Sequence, residues 1–283
     1  MSNKLNRRGL LFAAASLGIA ATLGVTTLAQ AAEKTLDDIK KAGVIRIGVE
    51  GVFAPFSYRD GGELIGYDVD LAAVLFKDLG VKTEFVDTQW SGIVPALLTD
   101  KFDIIMSSLS YTKERMEKVG FSIPYADSSL AMLVRVDDKD KIKSFDDMSG
   151  RPIGLKAGTP EEVALPQFNA KVTAAKGAGF GEVKVFDSDP LSILALSQGG
   201  VDGVISNLTN LGLVIKQQPG KFALVQNVAG SSLAGIGIRK EDKELQAYID
   251  AQLLAATKSG EMAKLQEKWF GVAFTLPTTV PSL

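Results

Sequence analysis

The chain has 283 residues, 46% of them hydrophobic and 23% charged, enough apolar material for one or two globular domains with sizeable cores. Its 31 Lys and Arg against 33 Asp and Glu give a formal charge of −2, so no nucleic-acid partner is expected. Cysteine and histidine are both absent, which excludes disulfides, thiol nucleophiles, a cysteine-borne lipid anchor, zinc sites of the usual kind and any imidazole base; no cofactor or metal is expected.

Residues 1–31 read as an export signal. Lys4, Arg7 and Arg8 precede a charge-free stretch from Gly9 to Ala32, and Ala29-Gln30-Ala31 is a small-x-small cleavage site. Arg7-Arg8 followed by Gly-Leu-Leu partly matches a twin-arginine pattern, beside a Sec reading. The alternative is an uncleaved membrane anchor, because the apolar run is nearly long enough to span a bilayer.

Leu36 to Lys41 reads as a short helix stopped by Gly43, and Val44 to Val49 as a strand leading into the loop Glu50 to Tyr58. Val69, Ala72, Ala73, Phe76 and Leu79 have helical spacing, with Gly80 as the stop. Val81 to Val86 is a second strand, Ile93 to Leu98 a helix, and Asp103 to Met106 a third strand. This βαβαβ order argues for a parallel sheet covered by helices, in which ligands sit beyond the carboxyl ends of the strands. Glu50, Phe53, Trp90, Ser108 and Ser110 all follow such ends.

Ser128 to Val136 is strand-like, and a second βα series begins with the strand Pro152 to Leu155. Thr159 is a natural N-cap for the helix that follows, with Pro160 at its first position. Strands at Val183 to Phe186 and Val201 to Ile205 flank the helix Pro190 to Gln198, and Asn207 opens another helix. Phe222 to Val225 and Ala234 to Arg239 are strand-like, and two amphipathic helices, Asp242 to Lys258 and Glu261 to Phe270, close the chain. No GxGxxG is present, so a dinucleotide site is not supported.

Asp103 to Tyr125 is the most informative stretch. A buried strand ends, a Ser-rich loop follows at Ser107 to Ser110, and Thr112 caps a helix with Arg115 in its first turn. Free N–H groups at a helix start favour an anion, and a guanidinium fork matches a carboxylate. The alternative is a capped helix bearing a surface arginine.

SSLSYTKERMEKVGFSIPY (Ser107 to Tyr125) resembles the Ser-x-Ser-x-Thr-x-x-Arg segment, followed by Phe-Ser-x-Pro-Tyr, of the family 3 solute-binding proteins. These are periplasmic receptors of polar amino-acid ABC importers. The resemblance implies an α/β fold of two lobes, type II-like, each a βα sheet sandwich, joined by a two-strand hinge. It places lobe 1 at 32–127 and 233–283 and lobe 2 at 128–232, with crossings near Ala126–Ser129 and Gly230–Ala234. It implies a periplasmic monomer that closes on a small carboxylate ligand, an amino acid or a derivative, and delivers it to an inner-membrane ABC permease.

The resemblance also implies site roles. Arg115 anchors the ligand carboxylate with help from the Ser110 backbone, and Ser108 receives the ligand amine. Phe53 and Trp90 sandwich the side chain, Glu50 meets its far end, and Thr159 adds a contact from the second lobe. Two positions depart from the family. Gly158-Thr159-Pro160 replaces Gly-Thr-Thr, and proline brings neither N–H nor hydroxyl. Asn207 stands where an Asp commonly neutralises the α-ammonium, which makes a carboxylate without a free α-amine an alternative ligand. A few relatives of the fold are dehydratases of cyclic prephenate-like acids; for such an enzyme Glu50 is the one site residue here able to move a proton. A binding protein, not an enzyme, is the expected class.

Overall fold

The computed structural model describes residues 35–226, 228 and 232–283; the expected export signal and Gly230 of the second crossing lie outside them. Helix α1 (Leu36–Ala42) is opened by a capping box between Thr35 and Asp38 and closed by Gly43 in the left-handed region. It leads into β1 (Val44–Val49), a small hairpin sheet of β2 (Val52–Phe53), β3 (Ser57–Asp60) and β4 (Glu63–Ile65), and then α2 (Tyr67–Phe76), β5 (Lys82–Asp87), α3 (Ile93–Leu98) and β6 (Ile104–Ser110). β5 and β6 flank β1 in parallel. Helix α4 (Lys113–Lys118) and the short strands β7 (Gly120–Phe121) and β8 (Ala126–Asp127) follow.

The chain then enters a second sheet through β9 (Leu130–Arg135), β10 (Ile153–Lys156), α5 (Pro160–Lys176), β11 (Val183–Phe186), α6 (Asp189–Ser197), β12 (Gly203–Asn207), α7 (Leu208–Gln217) and β13 (Phe222–Val225). It returns to the first sheet as β14 (Leu233–Ile238) and ends with α8 (Lys243–Ser259) and α9 (Glu261–Phe270). The two sheets have orders β5-β1-β6-β14-β7 and β11-β10-β12-β9-β13. In each, three parallel strands meet one antiparallel strand, β14 against β6 and β9 against β12. The two halves therefore share one topology, which the paired βα series foreshadows.

Both faces of both sheets are covered. In β6, Ile104 and Met106 enter one core while Ile105 and Leu109 enter the other. In β9, Ala131 and Leu133 alternate in the same way with Met132 and Val134. Such two-sided burial is why these strands read as continuous apolar runs. Where β8 and β14 run between the sheets they pair antiparallel, Leu233 against Asp127 and Ala234 against Ala126. Beyond them the Ser128 N–H donates to the Ser232 carbonyl at 2.9 Å, and the Ser232 N–H donates to Ser129 Oγ at 3.2 Å. The two crossings thus hold each other through backbone bonds and small side chains.

The third strand differs from its sequence reading. It does not stop at Met106; Ser107 to Ser110 continue β6, and Ser110 and Leu109 pair with Ala234 and Gly235 of β14. The register shifts between Gly235 and Gly237, and Ser108 takes a left-handed φ of 49°, as a β-bulge allows. Serine composition points to a loop, but partners on a strand more than a hundred residues later satisfy this backbone. Similarly, β12 runs to Asn207 instead of Ile205, and α6 begins at Asp189.

Candidate functional site

The carboxyl ends of β1, β6, β10 and β12 converge between the two sheets. Phe53, Trp90, Ser108, Ser110, Thr159 and Asn207 line one narrow cavity there. Two further expected residues sit differently. Glu50 is buried and reaches the cavity through Lys156, while Arg115 lines the adjoining groove, which shares Trp90, Thr159 and Pro160 with the cavity.

Lys156, the last residue of β10, is the centre of the site. Its ammonium lies 2.7 Å from Glu50 Oε2 and 2.9 Å from Asp189 Oδ2, with side-chain exposures of 5% for the lysine and 4% and 2% for the acids. It also sits over the Phe53 ring at 4.3 Å and over the Trp90 ring at 5.0 Å, within cation–π range. Burial opposes the lysine's charge, but Asp189 and Glu50 outweigh it and hold the ammonium above the ordinary lysine range. Burial pushes the Glu50 carboxyl up, and Lys156 opposes that push. The lysine ammonium donates to the Glu50 carboxylate at hydrogen-bond distance. Glu50 is held from its backbone as well: its N–H donates to Ser107 Oγ, and its carbonyl accepts from Ser57 Oγ. Asp189 accepts from Ser206 Oγ at 2.5 Å.

Arg115 is positioned by its own helix. Its N–H donates to Thr112 Oγ1, the N-cap of α4. Its guanidinium stacks on Trp90 at 5.2 Å and donates to two carbonyls, Ser110 at the end of β6 and Gly158 in the second lobe, each at 3.0 Å. Burial lowers its pKa to about 10, so it stays charged at neutral pH. The Gly158 carbonyl also accepts from Trp90 Nε1 at 3.0 Å. Gly158 has φ 71°, a conformation that glycine adopts without the steric cost of a side chain, and it turns this carbonyl back towards the first lobe.

The remaining polar groups are largely engaged. The Thr159 hydroxyl donates to the Lys156 carbonyl at 2.7 Å and accepts from the Glu162 N–H, capping α5 with Pro160 next in line. Asn207 caps α7: its Oδ1 accepts from the N–H and hydroxyl of Thr209, leaving Nδ2 to face Ser108 Oγ at 3.5 Å across the cleft. Asn207 therefore presents a donor to the cleft. Ser108 is fixed from behind, because its N–H donates to Tyr125 Oη at 2.8 Å and that hydroxyl donates to Asp68 Oδ1 at 2.9 Å.

Three charged cavity residues escaped the sequence reading: Lys156, Asp189 and Glu161. Glu161 is buried in the first turn of α5, and burial pushes its carboxyl up to about 7, with Asp189 adding to the rise. The signal was available. Glu161 and Asp189 follow the carboxyl ends of β10 and β11, the rule applied to the first lobe, and Lys156 is a lone charge closing the apolar strand β10. No group of acids able to hold a metal ion occurs among the described residues.

Two lobes of one topology, bridged by paired strands and meeting at an aromatic-walled polar cleft, define a two-lobe binding fold for a small polar molecule. The chain belongs to the bacterial extracellular solute-binding proteins, family 3, whose profile matches residues 45–272. It is 30% identical over 261 residues to the L-cystine-binding protein TcyJ of Escherichia coli (strain K12), covering 92% of this chain and 94% of the relative. It is 28% identical over 232 residues to the ABC transporter arginine-binding protein 1 of the same strain, covering 80% and 90%. Among solved structures, it resembles an ancestral amino acid-binding protein described as a precursor of cyclohexadienyl dehydratase. The TM-score there is 0.76 at 36% identity, over 83% of this chain and 99% of the other.

Proposed function

We propose that this chain is the periplasmic receptor of an ABC importer, taking an amino acid or amino-acid-like small carboxylate and closing its two lobes over it. The observation that carries this reading is the cleft itself: aromatic walls, a guanidinium and polar groups converge from both lobes at the strand ends. The lobes divide at the paired crossings, 32–127 with 233–283 against 128–232. The crossings' short mutual backbone bonds, flanked by serines, suit a hinge. The protein acts as an exported monomer and hands its ligand to an inner-membrane permease. Arg115 takes the ligand carboxylate by exchanging one of its carbonyl partners for a stronger charged one. Native mass spectrometry of protein purified from the periplasm should find a co-purified small carboxylate. Small-angle scattering should show a smaller radius of gyration when that molecule is saturating. Identical scattering curves with and without it would argue for a rigid scaffold.

A second reading, an enzyme acting on a cyclic acid, draws on Glu161, whose burial keeps a proton on a cavity carboxyl near neutral pH. The named relatives reported above are binding proteins, and binding is the reading we adopt. Incubation of the co-purified molecule with purified protein should return it unchanged; accumulation of a dehydrated product would favour the enzyme.

A further inference from the structure

Two aromatic faces and two carboxylates converging in a desolvated cleft form a seat for a cation. Ring faces attract positive charge, and acids pair with it. In this chain the seat is filled from within. The Lys156 ammonium lies over Phe53 and Trp90 and contacts both Glu50 and Asp189. It cannot withdraw by moving its backbone: β10 is an interior strand, paired in parallel with β11 and β12, and the Lys156 carbonyl accepts from Thr159 Oγ1. A ligand ammonium or guanidinium could use the same walls only by turning Lys156 out of its two ion pairs. That would leave a buried charge unpartnered, which is strongly unfavourable.

The wall offers donors instead. An ammonium has three N–H groups; that of Lys156 donates to Glu50 and forms an ion pair with Asp189. Asn207, its oxygen committed to Thr209, turns its amide N–H groups to the cleft. We infer that Lys156 is the specificity-determining residue of this cleft: it occupies the cation seat and selects amino-acid-like carboxylates whose far end is a neutral or anionic hydrogen-bond acceptor, such as a carboxamide or carboxylate, against cationic amino acids. The inference rests on the receptor reading above and narrows its ligand class.

The test is calorimetry of the wild-type protein and Lys156→Ala against L-glutamine, L-glutamate, L-asparagine, L-arginine and L-lysine. Wild type should bind at least one of the first three at least about tenfold more tightly than arginine or lysine. Lys156→Ala should gain about tenfold or more for arginine, because the rings and both acids are then free to receive a guanidinium, and should lose affinity for the acceptor-bearing ligand. Arginine or lysine bound by wild type as tightly as the best of the others would overturn the inference. So would a folded Lys156→Ala with no gain for arginine. If Lys156→Ala does not fold by circular dichroism, the wild-type preference and the isosteric Lys156→Met decide. Failure of the receptor reading looks different: wild type would bind none of the five probes and carry no co-purified carboxylate, while a gain of arginine binding in Lys156→Ala would still establish the seat.

Discussion

The ion pair between Glu50 and Lys156 joins the two lobes, and a double-mutant cycle measures what it contributes. Lys156→Met removes the ammonium from two carboxylates at 2.7 and 2.9 Å, none of the three side chains more than 5% exposed. Breaking a buried pair and stranding its partner costs about 3–5 kcal/mol. Glu50→Gln is milder, because Lys156 keeps Asp189, and costs about 2 kcal/mol, the worth of a hydrogen bond to a charged group. The double variant leaves Asp189 as the stranded acid of the three, so it should be less harmed than the sum of the singles, with a coupling of about 1–3 kcal/mol. For a chain of this size 1 kcal/mol shifts Tm by about 2–4 °C, so Lys156→Met should lower Tm by on the order of 10 °C. Part of the loss can appear as opening, because separating the lobes rehydrates Glu50. Urea unfolding of the four proteins should therefore be read alongside their radii of gyration. A coupling under about 0.5 kcal/mol, with unchanged radii, would mean that the two side chains do not meet in solution.

Arg115→Ala should weaken ligand binding by about 30-fold or more, the equivalent of roughly 2–5 kcal/mol for a desolvated charge pair. Arg115→Lys should recover little of that loss; unchanged affinity by calorimetry would move the carboxylate seat elsewhere. Asn207→Asp keeps an oxygen for the Thr209 cap and adds a negative charge to the cleft. Binding of a ligand without a free α-amine should then weaken about tenfold or more by titration, whereas tighter binding of the wild-type ligand would show that an ammonium sits beside this position. Burial pushes Asp68 from the usual carboxyl range up to about 7, against the hydrogen bond from Tyr125. The folded protein then holds a proton that the unfolded chain gives up, so this group's contribution to stability is complete below about pH 4 and lost as pH rises through about 7. Asp68→Asn should flatten the fall in Tm between about pH 5 and pH 8; an unchanged slope by calorimetry would show that Asp68 is already ionised at the lower pH.

Much of this fold is legible because its signals are local. Gly43 as a stop, Thr159 and Pro160 as a start, and the βαβαβ order each need only a few neighbouring residues, and each recurs in the structure. The carboxyl-end rule gathers Phe53, Trp90, Ser108 and Ser110 at one cavity before any contact is known. Serines at 107–110 mislead because the preference for a loop is weak, and pairing with β14 overrides it. Asn207 is correctly placed at a helix start, yet which face of its amide meets the cleft depends on Thr209, a choice that composition does not encode.

What the sequence conceals is how the charges are partnered. Glu50 alone reads as an acid waiting for a basic ligand; its counter-ion lies 106 residues away in the other lobe. The acid thereby changes meaning. Beside Lys156 it is already paired, and the pair ties the two lobes together. Arg115 also has a cross-lobe partner: its fork spans the Ser110 and Gly158 carbonyls 48 residues apart, one from each lobe. At Glu50 the partner from the opposite lobe decides which charge faces the cleft, whereas Arg115 stays a cation and its cross-lobe partner fixes its position. Ligand class in a two-lobe cleft is therefore a property of cross-lobe pairs, and the substitutions able to change it fall on β10 and the α5 N-terminus as readily as on the motif around Arg115.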